Sequence, residues 1–138
     1  MKILTFDIEE WFHLLDNDST KSIKQWNNFD SRIQIGMDLI YDILEKTEKS
    51  ATFFVVGWMA EKYPEIIREI SDRGFEIASH THLHQLAYTQ DKKTFFCEVE
   101  KSIKILEDCT GKKITSFRAP GFSITENNKW AFEILHEL

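Results

Sequence analysis

The segment TFDIEEW near the amino terminus carries three carboxylates, Asp7, Glu9 and Glu10. Alternate side chains of an extended chain share a face, so Asp7 and Glu9 point together while Glu10 points away. Two carboxylates on one face could supply a metal ligand and a general base. Charged side chains that follow a strand are often only solvated, so this segment alone does not establish a site.

The segment SHTHLH places three histidines within a short stretch of chain. His80 and His84 can converge on one ion if the chain turns helically after a strand, because side chains at i and i+4 are neighbours on a helix. His82 points elsewhere in that geometry. A single histidine is usually structural, but this clustering favours a metal site.

The segment FRAPGF contains Arg118 beside a proline and a glycine, which mark a turn. Considered alone, this arginine would be interpreted as a surface charge. Its interpretation therefore depends on the elements that place it relative to the carboxylates and the histidines.

Four short apolar segments are predicted as strands, at residues 2–6, 51–56, 75–78 and 114–117. Helical spacing of apolar residues predicts helices between them, with members Ile33, Met37, Ile40, Leu44, Phe95, Val99, Ile103 and Leu106. Pro64 suits the first turn of another helix that Gly74 would end, and a last helix is predicted at 127–138. Strands that alternate with helices indicate an α/β fold with a parallel sheet buried on both faces.

The strand order places the three polar segments together. In a parallel α/β fold the carboxyl ends of all strands lie on one side, where such folds carry their chemistry. Carboxylates and histidines with an open coordination position suit Zn²⁺, with Fe²⁺, Co²⁺, Ni²⁺ or Mn²⁺ as alternatives, and bound water would become acidic enough to act as a nucleophile. The second carboxylate could then be the base, kept ionised by an arginine.

These three motifs resemble those of the polysaccharide deacetylases of carbohydrate esterase family 4, which contain the NodB homology domain. The family's Thr-Phe-Asp-Asp, His-[Ser/Thr]-x-x-His and Arg-x-Pro motifs are similar here to Thr5-Phe6-Asp7, His80-Thr81-x-x-His84 and Arg118-Ala119-Pro120. The resemblance implies a distorted (β/α) barrel, incomplete at the carboxyl terminus. It also implies a metal-dependent hydrolase that removes N-acetyl groups from the amino sugars of a polysaccharide or glycan precursor.

The resemblance also implies a role for each matching residue. Asp7 would be the catalytic base and Arg118 would orient it, while the backbone N–H of Gly121 could contribute to an oxyanion hole. His80 and His84 would be metal ligands, with Thr81 holding their loop by hydrogen bonding.

The sequence departs from the family pattern at the third metal ligand. The family's second aspartate falls at Ile8, which cannot bind a metal. The sequence instead resembles the FDVEDWF branch, in which an acidic residue one place later can substitute. We assign this position to Glu9 because it shares a strand face with Asp7, and Glu10 is the alternative.

The family's later motifs are absent from the sequence, including the histidine that protonates the leaving amine. His136 is interpreted as a surface residue of an amphipathic helix, and His13 is a less favoured substitute acid. Trp11 and Phe12 could form a platform for a sugar ring or could pack a loop on the core.

Two other functions remain open from the sequence. One is a metal-dependent amide or ester hydrolase with a non-sugar substrate, since a fold does not fix a function. The other is a catalytically incomplete fragment that binds metal or glycan without turnover.

Composition limits the binding partners and the location that can be expected for this chain. The net charge of -6 and the scattered basic residues argue against a nucleic-acid partner. No apolar stretch is long enough for a membrane span, so a soluble cytoplasmic protein is expected.

Residues 1–138 are interpreted as the amino-terminal portion of one domain, whose unfinished barrel predicts self-association or a longer natural chain. Cys97 and Cys109 lie too far apart on one predicted helix for a disulfide.

Overall fold

The structure is a computed structural model that describes residues 3–15, 17–20 and 22–138. Its central feature is a parallel sheet in which β2 lies between β1 and β3. The strands are β1 (Thr5–Ile8), β2 (Thr52–Val55) and β3 (Glu76–Ser79). The predicted parallel α/β class is confirmed, and the sheet register pairs Asp7 with Phe54.

Six α-helices connect and cover these strands within the described part of the chain. They are α1 (Ile23–Trp26), α2 (Ile33–Thr47), α3 (Gly57–Lys62), α4 (Pro64–Asp72), α5 (Lys92–Thr110) and α6 (Trp130–Glu137). The predicted helices at α2, α4 and α5 are confirmed. The last helix begins later than predicted because Glu126–Asn128 forms a separate 3-10 turn, in which Thr125 N–H donates to the Asn128 side chain.

The first and last predicted strands differ from the structure. β1 extends beyond the predicted end, so Asp7 lies within the strand; Lys2 lies outside the described residues. The prediction of a fourth strand at 114–117 is wrong, because only one parallel bridge joins Phe117 to Ser79. The start of this segment is held elsewhere, since Ile114 N–H donates to the Glu107 carboxylate of α5.

The main hydrophobic core lies on one face of the sheet. Phe53 and Val55 of β2 point into it and are fully buried, together with Met37 of α2 and Leu106 of α5. On the opposite face Asp7 of β1 is exposed, whereas its neighbours Phe54 of β2 and Ala78 of β3 are buried. Consecutive residues of a strand point to opposite faces, so the predicted burial of both faces is confirmed for residues 53–55 of β2 and 77–79 of β3, but not for β1, where Asp7 is exposed.

The two cysteines of the chain lie on helix α5. Cys97 and Cys109 both lie on it and both are free, as predicted. Across residues 3–15, 17–20 and 22–138, no helix combines the length and apolar character that crossing a membrane requires.

Two helical glycines give opposite predictions for stability. A Cβ added to Gly57 would lie 2.8 Å from His82 Nδ1 and 3.1 Å from the Ser102 backbone, whereas one added to Gly36 would meet nothing within 4 Å. We expect Gly57→Ala to lower the free energy of unfolding by about 1–3 kcal/mol through overpacking. Gly36→Ala should raise it by up to about 1 kcal/mol. Urea denaturation of both variants measures the difference, and a stabilised Gly57→Ala would contradict the packing described for α3.

Candidate metal and catalytic site

Glu9, His80 and His84 meet at the carboxyl ends of β1 and β3. One ligand atom from each residue lies within 4.8 Å of the others. His84 Nε2 lies 2.9 Å from Glu9 Oε2 and 3.2 Å from His80 Nε2. Both histidines are buried, while Glu9 is half-buried. The structure therefore brings together the three residues predicted as metal ligands.

The tautomers of the two histidines follow from their backbone partners. His80 Nδ1 lies 2.8 Å from the Arg118 carbonyl oxygen, and His84 Nδ1 lies 2.9 Å from the His13 carbonyl oxygen. A carbonyl only accepts hydrogen bonds, so each Nδ1 carries a proton, and in the neutral form each ring presents an Nε2 lone pair. Second-shell hydrogen bonds of this kind orient metal-ligating histidines in proteins.

The donor atoms fit a divalent cation. Within the described part of the chain, the buried Oε2 of Glu9 has no assigned hydrogen-bond donor, and in a neutral His84 the proton lies on Nδ1, away from Glu9. Burial lowers the pKa of His80, and the nearby His84 lowers it further, which favours the neutral ligating form. With both rings neutral, the three facing atoms are all acceptors, which is the donor set that a divalent cation requires.

The loop that carries the histidines does not turn helically, contrary to the prediction. Thr81 and His84 both have positive φ, at 62° and 54°. The loop is held by backbone hydrogen bonds at the start of α3, where Gly57 N–H donates to the Thr81 carbonyl at 2.8 Å and Trp58 N–H to the His82 carbonyl at 3.0 Å. The predicted anchoring role of the Thr81 hydroxyl is wrong, because this buried group has no hydrogen-bond partner among residues 3–15, 17–20 and 22–138.

Asp7 and Arg118 form an ion pair beside the histidines. Arg118 Nη1 donates to Asp7 Oδ1 at 2.5 Å, and Arg118 Nη2 donates to Thr5 Oγ1 at 2.9 Å. Asp7 Oδ2 lies 3.9 Å from His80 Nε2, so the second carboxylate oxygen faces the candidate metal site. The guanidinium of Arg118 also stacks over the ring of Phe54, with the guanidinium carbon 3.9 Å from the ring centroid.

Glu10 is occupied elsewhere and does not join the ligand cluster. Its carboxylate accepts from the N–H groups of Arg32 and Ile33, at 3.0 Å and 3.2 Å, and from the Ser31 hydroxyl. These are the first amides of α2, which have no partners within the helix. The structure thus favours Glu9 over Glu10 as the carboxylate at the metal site.

His13 is buried and cannot serve as a solvent-coupled acid. Its ring packs against Trp26 and Trp58, with centroid distances of 4.4 Å and 5.3 Å. Burial, with repulsion from His84 and His80, lowers the pKa of His13 to about 3. His13 contributes instead through its backbone carbonyl, which orients His84 and could not be foreseen from the residue pattern.

The remaining histidines lie apart from the ligand cluster. His82 Nε2 lies 2.7 Å from Lys101 Nζ and 3.5 Å from the Glu61 carboxylate, on the side of the loop that faces α3 and α5. Burial and the neighbouring Lys101 lower the pKa of His82. His136 is exposed on α6, as predicted.

A cleft of about 340 Å³ opens beside the ion pair. It is lined by Asp7, His80, Arg118, Ala119, Gly121, Phe122 and Ile124. The structure therefore places Gly121 in the same cleft as the predicted base. Phe12 is buried in the core and cannot form a sugar platform, while Trp11 is partly exposed and donates its indole N–H to the Asp30 carbonyl.

Comparison with known proteins gives a consistent family. The family model of the polysaccharide deacetylases matches residues 17–135. A peptidoglycan-N-acetylglucosamine deacetylase of Bacillus cereus is 34% identical over 95 residues, which cover 68% of this chain and 34% of that enzyme. The chain thus spans about a third of this curated relative. Asp7 and Glu9 precede the family match, so their place in the site comes from the geometry above.

Solved structures show the same fold. A Mycobacterium smegmatis protein assigned as a polysaccharide deacetylase has a TM-score of 0.76 at 28% identity, over 98% of this chain and 47% of that chain. A CE4 family pseudoenzyme of Bacillus anthracis has a TM-score of 0.74 at 19% identity, over 98% of this chain and 39% of that chain, which indicates the fold alone. The described strands and helices correspond to part of the NodB-type (β/α) barrel of these neighbours. The chain belongs to the polysaccharide deacetylase family.

Proposed function

We propose that this chain carries the metal-binding centre of a hydrolase that removes N-acetyl groups from amino sugars of a polysaccharide or glycan precursor. The observation that carries the proposal is the convergence of Glu9, His80 and His84 beside the Asp7–Arg118 pair. The substrate class follows from family membership and from the Bacillus cereus relative, whose name specifies an N-acetylglucosamine residue of peptidoglycan.

Glu9, His80 and His84 would hold the cation. Two neutral imidazoles and one carboxylate suit Zn²⁺ best, with Fe²⁺, Co²⁺, Ni²⁺ or Mn²⁺ as alternatives. When bound, the cation supplies a Lewis acid that polarises the amide carbonyl and acidifies water.

Asp7 acts as the general base in this proposal. Its Oδ1 is held by Arg118, which leaves Oδ2 on the side of His80 to accept the proton of the attacking water. Thr5 and Phe54 hold the guanidinium in turn, so the orientation of the base depends on β1 and β2. The sequence predicted Arg118 as the partner of Asp7, whereas the support from Phe54 appears only in the folded chain.

Gly121 would stabilise the oxyanion through its backbone N–H, since it lines the same cleft as Asp7 and His80. Neither His13 nor His136 is proposed as the group that protonates the leaving amine. His13 is sealed in the core, and His136 lies on the surface of α6.

Exchange of the base tests the chemistry. Asp7→Asn keeps the shape of the side chain but removes its ability to take a proton. We expect it to lower acetate release from an N-acetylglucosamine tetramer by about 10²- to 10⁴-fold, with zinc content unchanged. Asp38→Asn, an exposed change on α2, is the matched control and should leave the rate unaltered.

Three outcomes of such assays would oppose the proposal. A wild-type rate in Asp7→Asn would exclude Asp7 as the base. Zinc uptake by the wild-type chain without acetate release, even at high protein concentration, would favour a fragment that binds metal or glycan without turnover. Hydrolysis of a non-sugar amide or ester but not of the tetramer would favour the other enzymatic alternative.

Adjacent carboxylates offer a matched test of the ligand set. We expect Glu9→Ala to weaken zinc binding by more than about 100-fold, since even outer-shell partners of a metal contribute roughly 10- to 100-fold. Glu10→Ala should keep the zinc affinity but lower the free energy of unfolding by about 0.5–2 kcal/mol through loss of the α2 cap. Zinc titration and urea denaturation of both variants measure these effects, and the reverse pattern would exchange the two assignments.

A further inference from the structure

Phe122 is the most exposed large apolar side chain described, with 98% of its surface accessible. It lines the cleft that also contains Asp7, His80 and Arg118. A single exposed apolar residue on a protein surface needs no explanation in general. At this position, however, the ring lines the same cleft as the predicted base and the predicted ligand His80, so its exposure bears on what the cleft can bind.

The backbone around Phe122 holds an unfavourable conformation. Gly121 and Phe122 are successive residues with positive φ, at 58° and 53°. Glycine adopts this region freely, but a bulky residue rarely does, and such residues persist only where the surrounding structure fixes them. Backbone outliers of this type cluster at functional sites.

The loop is fixed on both sides of Phe122. Before it, Gly121 is so close to Leu86 and Leu15 that an added Cβ would lie 2.7 Å and 2.8 Å from their methyl carbons. After it, Ser123 is fully buried, and its hydroxyl oxygen accepts from Ala87 N–H at 2.9 Å. The Ser123 carbonyl accepts from the Asn128 side-chain amide, also at 2.9 Å. The outward direction of the aromatic ring is therefore built into the loop.

We propose that Phe122 is a stacking platform for a second sugar ring, next to the ring that carries the acetamido group. This inference rests on the proposed deacetylase function. An aromatic face packs well against the C–H groups of a pyranose ring, and burial of that face removes a large apolar area from water. The polar groups of the same cleft, Asp7 and Arg118, then face the acetamide.

The size of the cleft supports a role for Phe122 in binding polymeric substrates. Its volume of about 340 Å³ is at the lower end of the range for ligand pockets, roughly 300–1,000 Å³. The cleft thus accommodates a small unit such as one sugar, and a neighbouring sugar of the same polymer lies over Phe122. The platform makes the site selective for oligosaccharides over a single amino sugar.

Binding measurements test this inference independently of turnover. In an Asp7→Asn background with zinc present, calorimetric titration is carried out with an N-acetylglucosamine tetramer and with N-acetylglucosamine itself. We expect Phe122→Ala to weaken binding of the tetramer about tenfold, and to leave binding of the single sugar unchanged. Phe122→Tyr should retain tetramer binding. Phe132→Ala, which removes a ring that is 59% exposed on α6, is the matched control and should bind both ligands as the parent does.

The inference would be overturned if Phe122→Ala bound the tetramer as tightly as the parent, or if the parent bound the tetramer no better than the single sugar. Equal weakening of both ligands would also overturn it, since that result would assign Phe122 to the acetamide subsite. Failure of the wild-type chain to release acetate affects only the proposed function, because these titrations measure binding alone.

Discussion

The candidate site depends on two backbone carbonyls that accept from the Nδ1 atoms of the ligating histidines. One belongs to Arg118 and lies next to the bridge that joins Phe117 to Ser79; the other belongs to His13 and ends the turn after β1. Carbonyls that belong to the fold itself cannot be changed by substituting a side chain. The direction of both Nε2 lone pairs is therefore fixed by chain topology, and errors in strand pairing would disperse the metal ligands.

Glu9 and Glu10, which lie between β1 and α2, have different roles: one belongs to the candidate metal site and the other stabilises a helix. Glu9 faces the histidines, while Glu10 satisfies the first amides of α2 from a buried position. Strand alternation separates the two side chains, since adjacent residues of an extended chain point in opposite directions. The same few residues thus anchor the helix, supply a ligand and carry the His13 carbonyl.

Strand alternation and parallel topology allowed much of this arrangement to be predicted from the sequence. They placed Asp7, Glu9, His80 and His84 at one edge of the sheet, with Arg118 beside them. The route by which the histidines converge was not predictable, because Thr81 and His84 adopt positive φ without glycine. Contacts between distant segments were also hidden, including Phe54 beneath Arg118 and the aromatic enclosure of His13. These contacts depend on tertiary packing, which a local pattern does not encode.

The most direct test of the account is the protonation pattern of the histidine rings. Long-range ¹H–¹⁵N correlation spectra of the metal-free protein, labelled with ¹⁵N-histidine, report which ring nitrogen carries the proton. The account predicts that His80 and His84 are Nδ1–H tautomers near neutral pH, and that zinc shifts the Nε2 signals of both while leaving the exposed His136 unchanged. Dominant Nε2–H tautomers, or Nε2 signals that zinc does not move, would contradict it.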